Sequence, residues 1–259
     1  MSIFHSIVFG IVEGITEFLP ISSTFHLIYT SKLLVISQTE FQKFFEVFIQ
    51  GGAILAVAVL FFREVVNDID LLKKTIVAFI PTALIGFILY KVIKNVFFEA
   101  QSLMLIMFVV IGLTFILTEW LVNKKKIILN KSLKKFSYGE ALIIGLVQAL
   151  AVIPGVSRAG SVILGMMFLG YKRDEAAKFS FILSVPTILA ASGYDLFKMR
   201  FLISNNMSNL GILVIGFIVS FICALIAVKW LIGYLQKNSL FIFGVYRILL
   251  AIILLQILR

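Results

Sequence analysis

Carboxylate, hydroxyl and imidazole side chains are concentrated near the beginning of the chain, within a sequence that is otherwise strongly apolar. They are Glu13, Glu17, Ser22, Ser23, Thr24 and His26. The spacing of four between the glutamates places both carboxylates on one face of a helix that runs up to Pro20. An ionised carboxylate in hydrocarbon costs several kcal/mol, so both are expected to face a polar interior. The structural alternative is a buried ion pair, or a first helix that lies at the membrane interface.

The residues after Pro20 predict a helix break followed by a new helix start. Ser22 or Ser23 is suited to cap a helix whose first turn carries His26. A buried helix start offers free backbone N–H groups and a positive dipole end, which suits an anion such as phosphate. Capping alone accounts for one serine, so the hydroxyl cluster favours an anion-binding helix start.

A second break, Pro154-Gly-Val-Ser-Arg158, supplies a cation. Arg158 is the only basic residue between Lys135 and Lys172. Its guanidinium and the hydroxyl of Ser157 suit phosphate oxygens, unless the arginine merely neutralises a buried glutamate. Three further residues of this segment are candidate substrate contacts: Gly155 and Gly160, which let a backbone approach a ligand, and Gln148, which interhelical hydrogen bonding would equally explain.

Taken together, these side chains suit phosphoryl transfer, where positioning and charge neutralisation supply most of the catalysis. Ser23 could attack phosphorus or orient a water that does, while His26 or a glutamate moves the proton. Glu13 and Glu17 could equally hold a divalent cation against the phosphate oxygens. The residues leave these alternatives open.

The elements that carry these residues are membrane helices. Of 259 residues, 61% are hydrophobic, and the mean hydropathy is +1.10. Each helical crossing needs roughly 20 apolar residues. Six runs predict crossings: Phe44–Phe62, Thr75–Tyr90, Leu103–Val122, Ala176–Phe197, Leu210–Trp230 and Leu240–Leu258. The N-terminal run lacks a basic leader and is expected to stay on the mature protein.

The two interrupted segments resemble each other and predict an internal repeat. The segment from Gly10-Ile-Val-Glu13 to Pro20-Ile-Ser-Ser23 aligns with the segment from Gly145-Leu-Val-Gln148 to Pro154-Gly-Val-Ser157 if one gap of a single residue is allowed. Three crossings follow each segment, and an odd number inverts the second half. The chain is therefore predicted to be an all-α polytopic membrane protein with an inverted-topology repeat, six transmembrane helices and two re-entrant helical hairpins. The hairpins are 3–36 and 140–171, within repeats 1–130 and 131–259.

The basic residues predict orientation rather than nucleic-acid binding, although the net charge is +10. The lysines gather in connections between apolar runs, and six lie between Asn123 and Phe136. Positive charge favours the cytoplasmic side, so this linker is predicted to be cytoplasmic and both termini to lie outside. The expected partners are the lipid bilayer and a phosphate-bearing ligand, and a homodimer stays possible.

Five motifs along the chain carry a family resemblance. They are Glu13-Gly-Ile-Thr-Glu17-Phe-Leu-Pro-Ile-Ser-Ser-Thr24 with His26, Phe45-Glu-Val-Phe-Ile-Gln50, Pro154-Gly-Val-Ser-Arg158-Ala-Gly160, Phe179-Ser-Phe-Ile-Leu-Ser-Val-Pro186 and Gly244-Val-Tyr-Arg247. Together they resemble the undecaprenyl-diphosphate phosphatase family, also called bacitracin-resistance proteins. The resemblance implies a bacterial cytoplasmic membrane enzyme that converts undecaprenyl diphosphate to the monophosphate for cell-wall synthesis, with its site open to the outer side.

The resemblance also implies residue roles and a cofactor. Glu13 and Glu17 match the family's acidic pair, Ser23 its nucleophile and His26 its histidine, while Arg158 matches a phosphate contact, as does Ser157. Magnesium or calcium is the implied cofactor. The family usually has glycine at Phe25, serine at Ala159 and leucine at Gly51. A transporter or flippase of a polyprenyl phosphate lipid is the rival, because broken helices in inverted repeats also bind transported substrates.

Overall fold

The regular secondary structure of the described chain consists of helices. The computed structural model describes residues 1–37, 39–92, 101–199 and 210–257, and within these ranges the only β-type pairing is an isolated bridge between Lys131 and Tyr171. The helices are α1 Ile3–Thr16, α2 Ser23–Leu33, α3 Glu40–Asn67, α4 Ile69–Val92, α5 Gln101–Asn123, α6 Tyr138–Ala149, α7 Arg158–Phe168, α8 Arg173–Met199, α9 Leu210–Leu235 and α10 Phe241–Ile257. Short 3₁₀ turns cover Leu133–Lys135 and Leu150–Val152.

Five of these helices are long and apolar enough to cross a membrane. They are α3, α4, α5, α8 and α9, and they correspond to five of the six predicted crossings. The sixth predicted crossing corresponds to α10, which has 17 residues and falls short of the roughly 20 that a crossing needs; Leu258 lies outside the described residues. The prediction of an all-α, multi-pass membrane protein is confirmed.

Both broken segments leave the α-helix before the proline rather than at it. The first helix ends at Thr16, and Glu17 forms its C-cap with its N–H bonded to the Glu13 carbonyl. The equivalent helix α6 ends at Ala149 and continues only as a 3₁₀ turn. Proline lacks a backbone donor and disfavours the α conformation in the preceding residue, so the chain leaves the helix about one turn early.

Several local features recur in the two halves of the chain without the gap that the sequence alignment introduced. The N-caps Ser2 and Ser137 both close capping boxes, and the N-caps Ser22 and Ser157 both have positive φ, at 68° and 75°. Each pair differs in number by 135, and both α2 and α7 are eleven residues long. Aligning the prolines forced the one-residue gap, whereas the backbone pairs Pro20 with Gly155.

Helix packing follows the same repeat. The first helix of each half packs on the middle long helix of the other half, α1 on α9 and α6 on α4. Small residues allow the close approach, since a Cβ at Gly14 would lie 2.5 Å from the Ser220 carbonyl oxygen. In α3, Gly51 faces the Phe217 ring, where a larger residue would require that ring to move.

Polar contacts tie the start of α6 to neighbouring connections. The Glu140 carboxylate receives Lys131 Nζ at 3.0 Å and the Tyr171 hydroxyl at 2.8 Å. Burial and the neighbouring carboxylate raise the pKa of the Tyr171 phenol, so it stays protonated and donates. Tyr138 likewise donates to Asp70 at the start of α4. These bonds hold the beginnings of α4 and α6 at one side of the molecule.

The close α1–α9 contact predicts opposite effects for two glycine-to-alanine substitutions. Gly14→Ala forces the helix backbones apart and should destabilise by about 1–3 kcal/mol. Gly233→Ala, in α9, adds its Cβ to open space and should be neutral or stabilising by up to about 1 kcal/mol. Thermal unfolding in detergent measures both. Equal melting temperatures for the two variants would contradict the packing.

Candidate active site

The Glu17 carboxylate joins the two broken segments. Ser23 Oγ donates to Oε2 at 2.5 Å, and Arg158 Nη2 donates to Oε1 at 3.0 Å. Glu17 caps the end of α1, while Ser23 and Arg158 are the first residues of α2 and α7. Both charged side chains are nearly buried, 8% and 12% exposed. Two helix starts, distant in sequence, therefore meet around one carboxylate.

The two helix starts have the same unusual backbone but different caps. Ser157 Oγ accepts from the Gly160 N–H at 3.2 Å, as an N-cap should. Ser22 occupies the N-cap position of α2, yet its side chain makes no capping bond, which corrects the expected capping role. Positive φ at a non-glycine residue costs roughly 1–3 kcal/mol and tends to occur at functional sites. The N–H groups that begin α2 are thus left without a side-chain cap.

His26 is held by groups other than Ser23. Its Nδ1 lies 2.8 Å from the Ser22 carbonyl oxygen, and its Nε2 lies 2.7 Å from the Tyr246 hydroxyl. A carbonyl only accepts, so Nδ1 carries the proton and Nε2 of the neutral ring accepts from Tyr246. Among the open alternatives for the proton acceptor, the contacts of Ser23 therefore favour Glu17 over His26.

Several buried polar atoms of this region have no hydrogen-bond partner in the described chain. They are Arg158 Nε and Ser180 Oγ, and the buried Glu13 carboxyl has no partner there other than the carboxyl of Glu17. The Arg158 guanidinium also donates from Nη1 to the Ser180 carbonyl at 3.0 Å and lies 5.6 Å from the Phe18 ring centre. Buried polar groups are nearly always bonded, so unmatched donors and acceptors beside the Glu17 contact indicate a place for a polar ligand.

Gln148 forms a separate polar cluster. Its Nε2 donates to Thr82 Oγ1 at 2.9 Å and to Thr187 Oγ1 at 3.1 Å, and Thr82 in turn donates to the Gly145 carbonyl. No hydrogen bond in the described ranges links this cluster to Glu17. Gln148 is the repeat equivalent of Glu13, and its observed partners are those of an interhelical contact.

The two glycines expected to admit a ligand have packing roles in the structure. Gly155 has a φ of +90°, and a Cβ there would meet the Met104 backbone. Gly160 lies in the first turn of α7, where a Cβ would come within 3.1 Å of the Phe115 ring. Both close approaches are to α5. Thr24 follows in the first turn of α2 and is half-buried.

The departures from the family pattern lie in packed positions. The Phe25 ring is fully buried and stacks on Phe108 with centroids 3.8 Å apart. It fills the contact between α2 and α5 together with Met104, and does not project between Ser23 and Glu17. Ala159 is also buried, in the first turn of α7.

The sequence reasoning missed how α10 takes part. Arg247 is fully buried and donates to three backbone carbonyls: Phe108 at 2.8 Å, Pro20 at 3.0 Å, and Gly155. The adjacent Tyr246 binds His26. The available signal was a single charge within an apolar segment, since Arg247 is the only charged residue between Lys237 and Arg259.

The side chains of this region supply only some of the ligands that a divalent cation needs. Within the described residues, no group of three or more His, Cys, Asp or Glu side chains is arranged to hold a metal. The paired carboxylates of Glu13 and Glu17 are the best candidates, because the buried Glu13 carboxyl has no partner in the described chain other than Glu17. Magnesium is commonly bound by one or two carboxylates, with phosphate oxygens and water completing its coordination. The residues therefore fit a cation that binds together with a phosphate ligand.

A comparison with protein-family models identifies the family of the chain. The family model described as bacitracin resistance protein BacA matches residues 6–253. The chain belongs to this family.

Relatives across bacteria and archaea match over nearly the whole chain. A protein of Wolinella succinogenes named undecaprenyl-diphosphatase is 48% identical, with 98% of each chain covered. Proteins of the same name from Aquifex aeolicus and Methanococcus aeolicus are 46% and 41% identical, covering 98% and 99% of this chain and 97% and 98% of their own.

The ion pair of Glu17 with Arg158 predicts strong coupling between the two residues. Glu17→Ala strands a buried guanidinium and should destabilise by about 3–5 kcal/mol. The double variant Glu17→Ala/Arg158→Ala removes both charges and should recover part of that loss. Thermal unfolding of the wild type, both single variants and the double variant gives the coupling energy. Additive effects would show that the two side chains do not interact.

Proposed function

We propose that this protein removes the terminal phosphate of undecaprenyl diphosphate, which leaves undecaprenyl phosphate and inorganic phosphate. The observation that carries the proposal is the Glu17 carboxylate, bonded at once to a serine hydroxyl and an arginine at two helix starts. Relatives 40–48% identical over nearly the whole chain bear the name undecaprenyl-diphosphatase, which supports the same substrate class.

Ser23 is the proposed nucleophile. Its hydroxyl already donates to Glu17, so the carboxylate can take the proton as Oγ attacks the terminal phosphorus. A bond forms between Oγ and phosphorus, the bond from phosphorus to the bridging oxygen breaks, and Glu17 passes its new proton to the departing undecaprenyl phosphate, which leaves the carboxylate ionised again. Water then attacks the phosphoserine, its proton passes to a base such as Glu17, and inorganic phosphate leaves with the serine proton restored.

Arg158 is the proposed phosphate clamp. One of its nitrogens lacks a partner, and another can exchange Glu17 for a phosphate oxygen as the carboxylate accepts the serine proton. The uncapped N–H groups that begin α2 add hydrogen-bond donors and a positive dipole end. These groups stabilise the negative charge that develops on the transferring phosphoryl group.

Glu13 and Glu17 are the proposed ligands of a divalent cation, magnesium or calcium. Such a cation supplies charge neutralisation at the phosphate oxygens. The Glu13 carboxyl is buried with only the carboxyl of Glu17 as a partner in the described chain, which is the observation that supports a ligand there. The other residues proposed to contact substrate are Ser22, Thr24, Gly155, Ser157 and Gly160, which border the two helix starts, and Gln148.

The inverted repeat is the proposed frame of this site. Two observations support two repeat units, 1–130 and 131–259. The caps of the two units match, and the first helix of each unit packs on the other unit, α1 on α9 and α6 on α4. Fourteen residues give α1 a length of about 20 Å, too short for a hydrocarbon layer of roughly 30 Å. This supports re-entrant hairpins at 3–36 and 140–171, with α10 as the sixth crossing.

The lysine-rich linker supports a cytoplasmic side, which leaves the hairpin 3–36 entering from outside. Lys32 at the end of α2 reaches Gln101 at the start of α5, at 2.6 Å, so these two ends share one side. We place the protein in the bacterial cytoplasmic membrane with its site open outward. The Ser23–Glu17 contact favours hydrolysis over the rival transport function, which needs no activated hydroxyl.

The proposed roles predict which side chains turnover requires. Purified protein in detergent should release phosphate from undecaprenyl diphosphate. Ser23→Ala should lower kcat at least about 100-fold, and Arg158→Ala should lower kcat/KM by about 100-fold or more. Ser6→Ala removes an equally buried hydroxyl, bonded to the Ile212 carbonyl, and should retain near-wild-type turnover. Full activity of Ser23→Ala would exclude the serine nucleophile.

The cation proposal predicts a metal dependence that Glu13 controls. Chelation should abolish phosphate release, and added magnesium or calcium should restore it. Glu13→Gln removes one anionic ligand, so the magnesium concentration for half-maximal activity should rise at least about tenfold. Turnover that survives exhaustive chelation, or an unchanged magnesium requirement in Glu13→Gln, would remove the carboxylate pair as the cation site.

A further inference from the structure

The charge of Arg247 is buried without an acidic partner in the described part of the chain. Its side chain is fully buried in α10, and its guanidinium donates to backbone carbonyls instead of to a carboxylate. The guanidinium carbon also lies 4.3 Å from the centre of the Phe108 ring. A buried cation is costly, and carbonyls of regular helices are already bonded; the Pro20 and Gly155 carbonyls are free acceptors at helix breaks, whereas the Phe108 carbonyl lies within α5.

Two of the three carbonyls are equivalent in the repeat. Pro20 and Gly155 are related by the same offset that relates Ser22 to Ser157. One guanidinium therefore binds the same backbone position of both breaks, with Nη1 on one carbonyl and Nη2 on the other. The planar fork of an arginine fixes the separation of two such acceptors, which a single ammonium cannot do.

These carbonyls lie three residues before the side chains that meet at Glu17. Pro20 precedes Ser23, and Gly155 precedes Arg158, by the same short stretch with its positive-φ residue. The third contact adds a further link to α2, since the Phe108 ring lies against the guanidinium and stacks on Phe25. Movement of either break relative to Arg247 would change the distance between Ser23 and Arg158.

We propose that Arg247 is a positioning residue, which holds the two breaks at the separation that lets Ser23 and Arg158 reach one carboxylate. Its three hydrogen bonds go to backbone carbonyls and none goes to Glu13, Glu17 or Ser23, so it acts through them. The inference rests on the proposed phosphatase function. It adds Arg247 to the residues that the proposed reaction requires. The cluster of acids, hydroxyls and imidazole in the sequence does not identify this residue.

The test compares the fully buried Arg247 with Arg173, whose side chain is 22% exposed, in full-length protein. Arg247→Ala should lower kcat on the order of 100-fold, the effect expected from a misplacement of about 1 Å, while KM changes less than about threefold. Arg247→Lys keeps the charge but loses the fork, and should lower kcat about tenfold. Arg173→Ala is the control, because it removes a guanidinium that binds the buried Glu119 with no contact to either break. It should lower the melting temperature and leave kcat within about twofold.

Chemical rescue separates positioning from general destabilisation. Millimolar guanidinium should raise the kcat of Arg247→Ala at least about tenfold and leave the kcat of Ser23→Ala unchanged. Methylammonium should raise the kcat of Arg247→Ala only slightly. A merely unstable variant would lose activity in the same salt.

Three results decide the matter. Arg247→Lys with wild-type kcat, or Arg247→Ala with kcat no lower than that of Arg173→Ala, overturns the inference. If Arg247→Ala does not fold, Arg247→Lys alone carries the test. Wild-type protein that releases no phosphate from undecaprenyl diphosphate overturns the proposed function instead, so the two failures are distinguishable.

Discussion

The ion pair between Glu17 and Arg158 is the interaction on which the rest of the arrangement depends. A carboxylate and a guanidinium, each almost buried in an apolar helical protein, are tolerated only when they meet. They stand 141 residues apart in sequence. The pair therefore forms only if both helix breaks reach the same place. The close packing of α1 on α9 and of α6 on α4 brings them there, and small residues such as Gly14 and Gly145 make that packing possible.

A repeated backbone produces two helix starts, and different side chains give them different tasks. The equivalent first residues are Ser23 in α2 and Arg158 in α7, so one start presents a hydroxyl and the other a cation. Glu13 likewise has Gln148 as its counterpart 135 residues later, where the amide nitrogen of Gln148 bonds two threonines and the Glu13 carboxyl faces Glu17. In the proposed reaction both helix starts would face one anionic ligand, with the hydroxyl as nucleophile and the arginine as phosphate clamp.

Most of the fold class and part of the candidate site could be predicted from the sequence. Long apolar runs predict helices because lipid leaves few alternatives, and charges such as Glu17 and Arg158 inside those runs identify the site for the same reason. The constant offset of 135 residues could not be predicted from the sequence. Aligning Pro154 with Pro20 requires a gap, whereas the backbone conformation pairs Pro20 with Gly155. The role of Arg247 was also hidden, since its partners are backbone carbonyls, which every residue possesses.

The unmatched atoms of the site explain why this fold retains groups that cost stability. The Glu13 carboxyl is buried with Glu17 as its only partner in the described chain, Arg158 Nε is buried there without one, and Ser22 and Ser157 have strained backbones. A sequence selected for stability alone would replace these groups with apolar side chains of similar size. A protein that must bind a diphosphate rigidly keeps them, because groups fixed before the ligand arrives need no reorganisation during the reaction. The tight packing around Arg247 and Phe25 is then the compensating part of the same structure, since it holds the unmatched groups in place.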